Sequence, residues 1–104
     1  MSGSTVTLPR PIVPADVHEF AAANGLSAYL MAVIDLARQS FPSSNLSVSV
    51  GQDAEDETHR YIALDVDVSA QTTEELLAGQ QSWSAGLSRV CPSRHAVHFV
   101  LGWR

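Results

Sequence analysis

Two aspartates, Asp65 and Asp67, are the residues whose type and spacing come closest to a metal site. They stand two positions apart in an alternating run, so a strand would present both carboxylates on one face, about 7 Å apart. At that distance they could share a divalent cation or shift each other's pKa. A metal-bound water would then be the nucleophile of a small hydrolase or nuclease, with His98 or a member of the acidic segment over residues 53–57 as a third ligand.

The alternative interpretation of this pair is structural, and we favour it. Alternation with a period of two places soluble residues on the wet face of a half-buried sheet without any catalytic purpose. If the last strand of the chain adjoins this one, His98 and Arg104 would share that face. A salt-bridged polar surface is then the expected result, and we predict no catalytic residue, no bound metal and no cofactor.

An acidic segment between the two alternating runs carries four carboxylates, at Asp53, Glu55, Asp56 and Glu57. It lacks the twelve-residue order and the central glycine of a calcium loop. We interpret it as a solvated hairpin loop whose charges discourage edge pairing. The other hypothesis is an acidic knob that contacts an arginine-rich or lysine-rich surface of a partner protein.

The remaining reactive side chains are isolated. His95 and His98 are three positions apart, which puts them on opposite faces of a strand and keeps them from holding one metal ion. Cys91 follows the last apolar position of a helix, where the negative end of the helix dipole raises the pKa of a thiol. The sequence contains no nucleophile elbow, phosphate-binding loop or dinucleotide-binding motif.

Length and charge narrow the class of protein. The chain has 104 residues, 45% of them hydrophobic, which suits one domain over residues 14–104 after a flexible arm over residues 1–13. Its net charge is −5, and its six basic residues are all arginines scattered along the chain, which disfavours nucleic-acid binding. A single cysteine, no signal peptide and no long apolar run predict a cytoplasmic protein that does not bind membranes.

Two helices are predicted first. Pro14 and Gly25 bracket a short helix that is apolar along Val17, Phe20 and Ala21. Ser27 can cap a second helix over residues 28–40, which is apolar around most of its circumference, Met31 included. A helix of that kind must be covered on nearly all sides, by this chain or by another.

The hairpin and a third helix follow. Residues 46–50 and 61–68 alternate and predict two antiparallel strands, with the valines and leucines on one face. Thr72 and Glu75 form a capping box that opens a third helix, on which Trp83 lies in the apolar stripe. Gly79 and Gly86, seven positions apart on that helix, favour the close packing of another element.

Alternation over residues 96–103 predicts a last strand, with Val97, Phe99, Leu101 and Trp103 on one face. The expected fold is therefore an α+β two-layer sandwich of order α-α-β-β-α-β. Its three-stranded sheet is largely antiparallel, and the helices pack on one face. The connection through the third helix is a crossover that should be right-handed, and the neighbour of the last strand stays open.

The functional prediction is a small acidic protein–protein interaction module, non-catalytic and oligomeric, for example a homodimer. It would serve as an adaptor, a regulatory subunit or an antitoxin-like or immunity-like inhibitor. Its partner contacts would be the four acidic residues of the hairpin loop together with Met31 and Trp83. The alternative is a small metal-dependent hydrolase or nuclease that uses Asp65 and Asp67.

Overall fold

The first helix begins after a proline and ends at a glycine, as the sequence predicts. The computed structural model describes residues 11–42, 44–56, 58–69 and 71–104, so most of the predicted arm lies outside the described residues. Helix α1 (Ala15–Ala23) follows the extended Pro14. Gly25 has a φ of 70°, and the N–H of Leu26 reaches the carbonyl of Ala21 at 2.7 Å. This is the hydrogen bond of a Schellman ending, which needs the left-handed residue that glycine supplies.

Helix α2 (Ser27–Ser40) starts one residue earlier than predicted and without the expected cap. Ser27 is its first helical residue, and no side chain caps it. The helix buries one face, formed by Leu30, Val33, Ile34 and Ala37. On its outer face Met31, 39% exposed, is the one large apolar side chain, since the others there are small or polar. The chain therefore covers this helix on one side, and small or polar side chains occupy most of the other side.

The hairpin has the predicted faces. Strands β1 (Leu46–Gln52) and β2 (Arg60–Val66) pair antiparallel, with Val48 opposite Leu64. Val48, Ile62, Leu64 and Val66 are buried beneath the helices. We call the other face of the sheet the open face; it carries Ser47, Ser49, Ala63 and Asp65.

Helix α3 (Thr73–Val90) begins with the predicted capping box, in which the Thr72 hydroxyl and the Glu75 carboxylate each accept a backbone N–H at 3.2 Å. Strand β3 (Phe99–Trp103) then pairs with β2 and not with β1, giving the order β1-β2-β3. The pairing of β2 with β3 is parallel. The element order and the two layers are confirmed, but the sheet is mixed because β3 returns through α3 in the direction of β2.

The predicted last strand is too long at its start. Residues Ser93–Ala96 form a single helical turn, α4, in which the N–H groups of His95 and Ala96 reach the carbonyl of Pro92 at 2.9 Å. Val97 follows this turn and is 68% exposed, whereas the alternation placed it on the buried face. Local turn bonds after Pro92 thus override the apolar alternation until Phe99.

The close packing predicted for the glycines of α3 occurs against α2 and its end. A Cβ at Gly79 would lie 2.2 Å from a ring carbon of Phe41, and one at Gly86 would lie 2.4 Å from a methyl of Leu36. Trp83 lies between these glycines and is 5% exposed. No helix among the described residues is long and apolar enough to cross a membrane.

Candidate functional site

The two aspartates singled out from the sequence do lie together, at the end of β2. Asp65 pairs with Ser47 on β1 and with Gly102 on β3, so its carboxylate occupies the centre of the open face. A shallow depression of about 480 Å³ includes both carboxylates. We call it the polar depression, and its lining residues are Asn45, Leu46, Ser47, Asp65, Asp67, Ser69 and Arg104.

The carboxylate of Asp67 accepts a hydrogen bond from the loop that leaves the sheet. Its Oδ1 accepts the N–H of Ser69 at 3.0 Å, and its own N–H donates to the carbonyl of Asn45 at 2.9 Å. Hydrogen bonds from Ser69, aided by the charge of Arg104, lower the pKa of Asp67 below its usual value. This group is therefore ionised at neutral pH and is not a proton donor for acid catalysis.

Arg104 joins the open face from β3, as expected for an adjoining last strand. Its backbone N–H donates to the carbonyl of Val66 at 2.9 Å, which fixes the residue beside the end of β2. Its guanidinium donates to the hydroxyl of Ser47 at 2.7 Å and so reaches across β2 to β1. The polar depression consequently holds a cation of its own beside the two carboxylates.

His98 does not join the two aspartates. It precedes β3 and lies four positions before Gly102, the neighbour of Asp65, which corresponds to about 13 Å along a strand. Its ring meets Phe20 of α1 edge to face, with centroids 6.3 Å apart, and its Nδ1 is buried without a hydrogen-bond partner. Within the described part of the chain, no three His, Cys, Asp or Glu residues are close enough to hold a metal ion.

The acidic loop is ordered by its own side chains. We use this name for Asp53, Glu55 and Asp56; Glu57, the fourth predicted contact, lies outside the described residues. Asp53 Oδ1 accepts the N–H of Glu55 at 2.9 Å, and Asp56 Oδ1 accepts the N–H and the hydroxyl of Thr58 at 3.0 and 2.6 Å. The Thr58 hydrogen bonds lower the pKa of Asp56, so its charge persists into mildly acidic solution.

The two apolar partner contacts predicted from the sequence differ in their access to solvent. Met31 is 39% exposed and available on α2. Trp83 belongs to the core formed by α1, α2 and the sheet, so its indole cannot reach a partner at the surface. Trp103 lies on the same face of β3 as Phe99 and Leu101, as predicted, and its ring meets Phe41, yet it is 46% exposed at the end of the strand. Its position at the end of an edge strand is the signal that was missed.

Cys91 is buried at the end of α3, and burial raises the pKa of its thiol, so it is not an activated nucleophile.

Comparison with models of protein families, with curated proteins and with solved structures yields no match.

Proposed function

We propose that this chain is a non-catalytic protein–protein interaction module that binds a basic surface of its partner through the acidic loop. It would act as an adaptor, a regulatory subunit or an antitoxin-like or immunity-like inhibitor. The observation that carries the proposal is the exposure of three carboxylates at the tip of the hairpin. Among the described residues, none of the three forms a salt bridge that would neutralise it.

The shape of the loop supports recognition as well as attraction. The backbone N–H groups of Glu55 and Thr58 donate to the carboxylates of Asp53 and Asp56, and these hydrogen bonds hold the turn before any partner arrives. A preformed loop loses less conformational entropy on binding than a loose one. Clustered charge of one sign also raises the rate of encounter with a surface of opposite sign, and this effect weakens as salt increases.

A metal-dependent hydrolase that uses Asp65 and Asp67 is the second candidate. It is favoured by the fact that both carboxylates line the polar depression. Two observations weigh against it. Arg104 places a competing cation in the same depression, and His98 stands at the other end of β3.

The test of the proposed function compares three tagged baits in quantitative affinity purification from lysate with cross-linking. The first is the wild-type chain and the second is the variant Asp53→Asn/Glu55→Gln/Asp56→Asn. Asparagine keeps an acceptor oxygen for the turn hydrogen bonds, so this variant removes charge while preserving shape. The control is Glu19→Gln/Glu74→Gln, which removes charge from exposed positions on α1 and α3.

The expected result is a partner that the loop variant retains at least tenfold less than the wild-type chain. The control should retain it within twofold, and 300 mM salt should release it. Equal retention by all three baits would overturn the proposal. The absence of any protein held above the level of bare resin would overturn it as well.

A further inference from the structure

The outer edge of β3 presents unpaired backbone groups. Ile62 donates to the carbonyl of His98 at 2.7 Å, and the N–H of Val68 donates to the carbonyl of Arg104 at 3.1 Å. Alternate residues of a parallel strand bond to its neighbour, so the even-numbered residues of β3 face β2. The N–H and C=O groups of Phe99, Leu101 and Trp103 therefore point away from the sheet. Among the described residues, no backbone group bonds to them.

This edge also lacks the features that keep edge strands apart. Phe99–Trp103 contains no charged residue and no proline, although edge strands are commonly protected by one or the other. Exposed apolar side chains gather here: Trp103 is 46% exposed, Val100 41% and Val97 68%. The combination of free backbone groups and exposed apolar side chains indicates pairing with an extended strand.

The other edge, on β1, is less suited to pairing. Its ladder to β2 includes the bonds Asp67 to Asn45 and Asp53 to His59, both 2.9 Å, so its even-numbered residues face outward. Val48, in the middle of this strand, is already 4% exposed, and the open face of β1 carries serines. Little apolar surface is left for a partner to cover.

We propose that the outer edge of β3 binds a second copy of this chain, β3 to β3 and antiparallel, to form one sheet across both copies. A twofold register centred on Leu101 places Phe99 of each copy opposite Trp103 of the other. It would add about six N–H···O bonds by antiparallel ladder geometry. On the open face it places Val100 beside Gly102 of the other copy, next to the Asp65 carboxylate that covers this glycine.

The charges of the chain favour this occupant and this direction. No charged residue belongs to the paired stretch itself, although the Asp65 carboxylate of β2 covers Gly102 on the open face. The guanidinium of Arg104 is turned toward Ser47 on the far strand. The acidic loop lies at the end of the sheet where β3 starts, since Ile62 pairs with Phe99. An antiparallel twofold therefore keeps the two acidic loops at opposite ends of the joined sheet, so a net charge of −5 per copy is not concentrated.

The contact is small. Five paired residues span roughly 17 Å. The surface area that they bury therefore lies at the low end of the range for specific interfaces. We therefore expect a reversible dimer with a dissociation constant of about 1–100 μM. The proposal goes beyond the acidic-loop function and stands without it, because the Asp53→Asn/Glu55→Gln/Asp56→Asn variant should dimerise at least as well as the wild-type chain.

The experiment is sedimentation equilibrium from 1 μM to 1 mM for the wild-type chain and for Val100→Glu, which places a carboxylate of each copy beside that of Asp65 in the other. Ser49→Glu is the matched control, an exposed position on the open face of the other edge strand that also neighbours Ala63. Val100→Glu should raise the dissociation constant at least tenfold and Ser49→Glu less than twofold. A wild-type monomer at 1 mM, or the reverse ranking of the two variants, would overturn the proposal.

Hydrogen exchange of the wild-type chain supplies a second readout that does not depend on the folding of any variant. The amides of Phe99, Leu101 and Trp103 should gain at least tenfold protection between 1 μM and 1 mM. The outward amides of β1, at Val48 and Val50, should not. Protection at β3 that does not change with concentration would also refute the dimer.

Discussion

Replacing Gly79 with alanine should destabilise the protein by about 2 kcal/mol, although alanine is the better helix former. The added Cβ would lie 2.2, 2.6 and 2.8 Å from three ring carbons of Phe41. Carbon atoms in contact prefer separations of about 3.5–4.0 Å, so the ring has to move by more than about 1 Å. Phe41 is 3% exposed and its ring meets Trp103 at 5.6 Å, so it has no free space to enter.

The magnitude follows from two opposing effects. Overpacking a well-filled core costs about 1–3 kcal/mol, and we take the upper end because a buried ring, not a flexible chain, must yield. The gain in helix propensity is about 1 kcal/mol in the opposite direction. The difference is a net loss of about 2 kcal/mol, or a melting temperature roughly 8–16 °C lower for a domain of this size.

Gly86→Ala is the matched comparison on the same helix. Its Cβ would meet a methyl of Leu36 at 2.4 Å, but Leu36 is only half-buried and its side-chain end can rotate. A displaced rotamer costs about 0.5–1.5 kcal/mol, which the helix-propensity gain of about 1 kcal/mol largely offsets. The stability of this variant should stay within about 0.5 kcal/mol of the wild-type chain.

Urea unfolding followed by far-UV circular dichroism measures both variants. The double variant Phe41→Leu/Gly79→Ala completes a mutant cycle in which the smaller side chain relieves the clash, with a coupling energy of about 1 kcal/mol or more. If Gly79→Ala proves as stable as the wild-type chain, or if Gly86→Ala is the more damaging of the two, the packing argument is refuted.

Three further predictions concern the carboxylates and the start of α3. The pKa values of Asp56 and Asp67 lie below the ordinary 3.8. The ionised carboxylates therefore stabilise the folded state fully above that pH, and this stabilisation is lost as the pH falls through the lowered values. Asp56→Ala and Asp67→Ala should each flatten the loss of stability that urea unfolding measures between pH 5 and pH 2. Calorimetry with Mg²⁺, Mn²⁺ or Zn²⁺ should detect no saturable binding, whereas binding heat that Asp67→Asn removes would support the hydrolase. Thr72→Ala should cost about 1 kcal/mol in thermal unfolding, and an unchanged melting temperature would contradict the capping role.

Features set by neighbours in sequence were the predictable ones. The faces of the hairpin follow from alternation, and the start of α3 follows from a cap between Thr72 and Glu75, both local in the chain. The end of α1 follows from Gly25, which alone supplies a positive φ. Each of these features depends on steric and hydrogen-bonding preferences over a few residues, which a sequence pattern reports directly.

Features set by distant contacts were not predictable in the same way. The direction of β3 depends on where α3 returns the chain, and no pattern within residues 99–103 encodes its neighbour. The same holds for His98, whose strand position was an extrapolation of alternation past the α4 turn. One part of the polar depression was predictable, because the sequence indicated that Asp65 and Asp67 share a face. The hydrogen bond from Arg104 to Ser47 was not, because it depends on the assembled sheet.

The parallel pairing of β3 has a consequence for the order of folding. The hairpin of β1 and β2 closes through a short loop, and such hairpins form in about 1–10 μs. Strand β3 can join only after the whole of α3 and α4 has been brought back to β2, and this longer closure carries a larger entropy cost. During that interval the edge of β2 that later pairs with β3 is open, so the intermediate that holds only the hairpin is the species most prone to aggregate. Refolding yield should therefore fall with protein concentration more steeply than the stability of the finished fold would suggest.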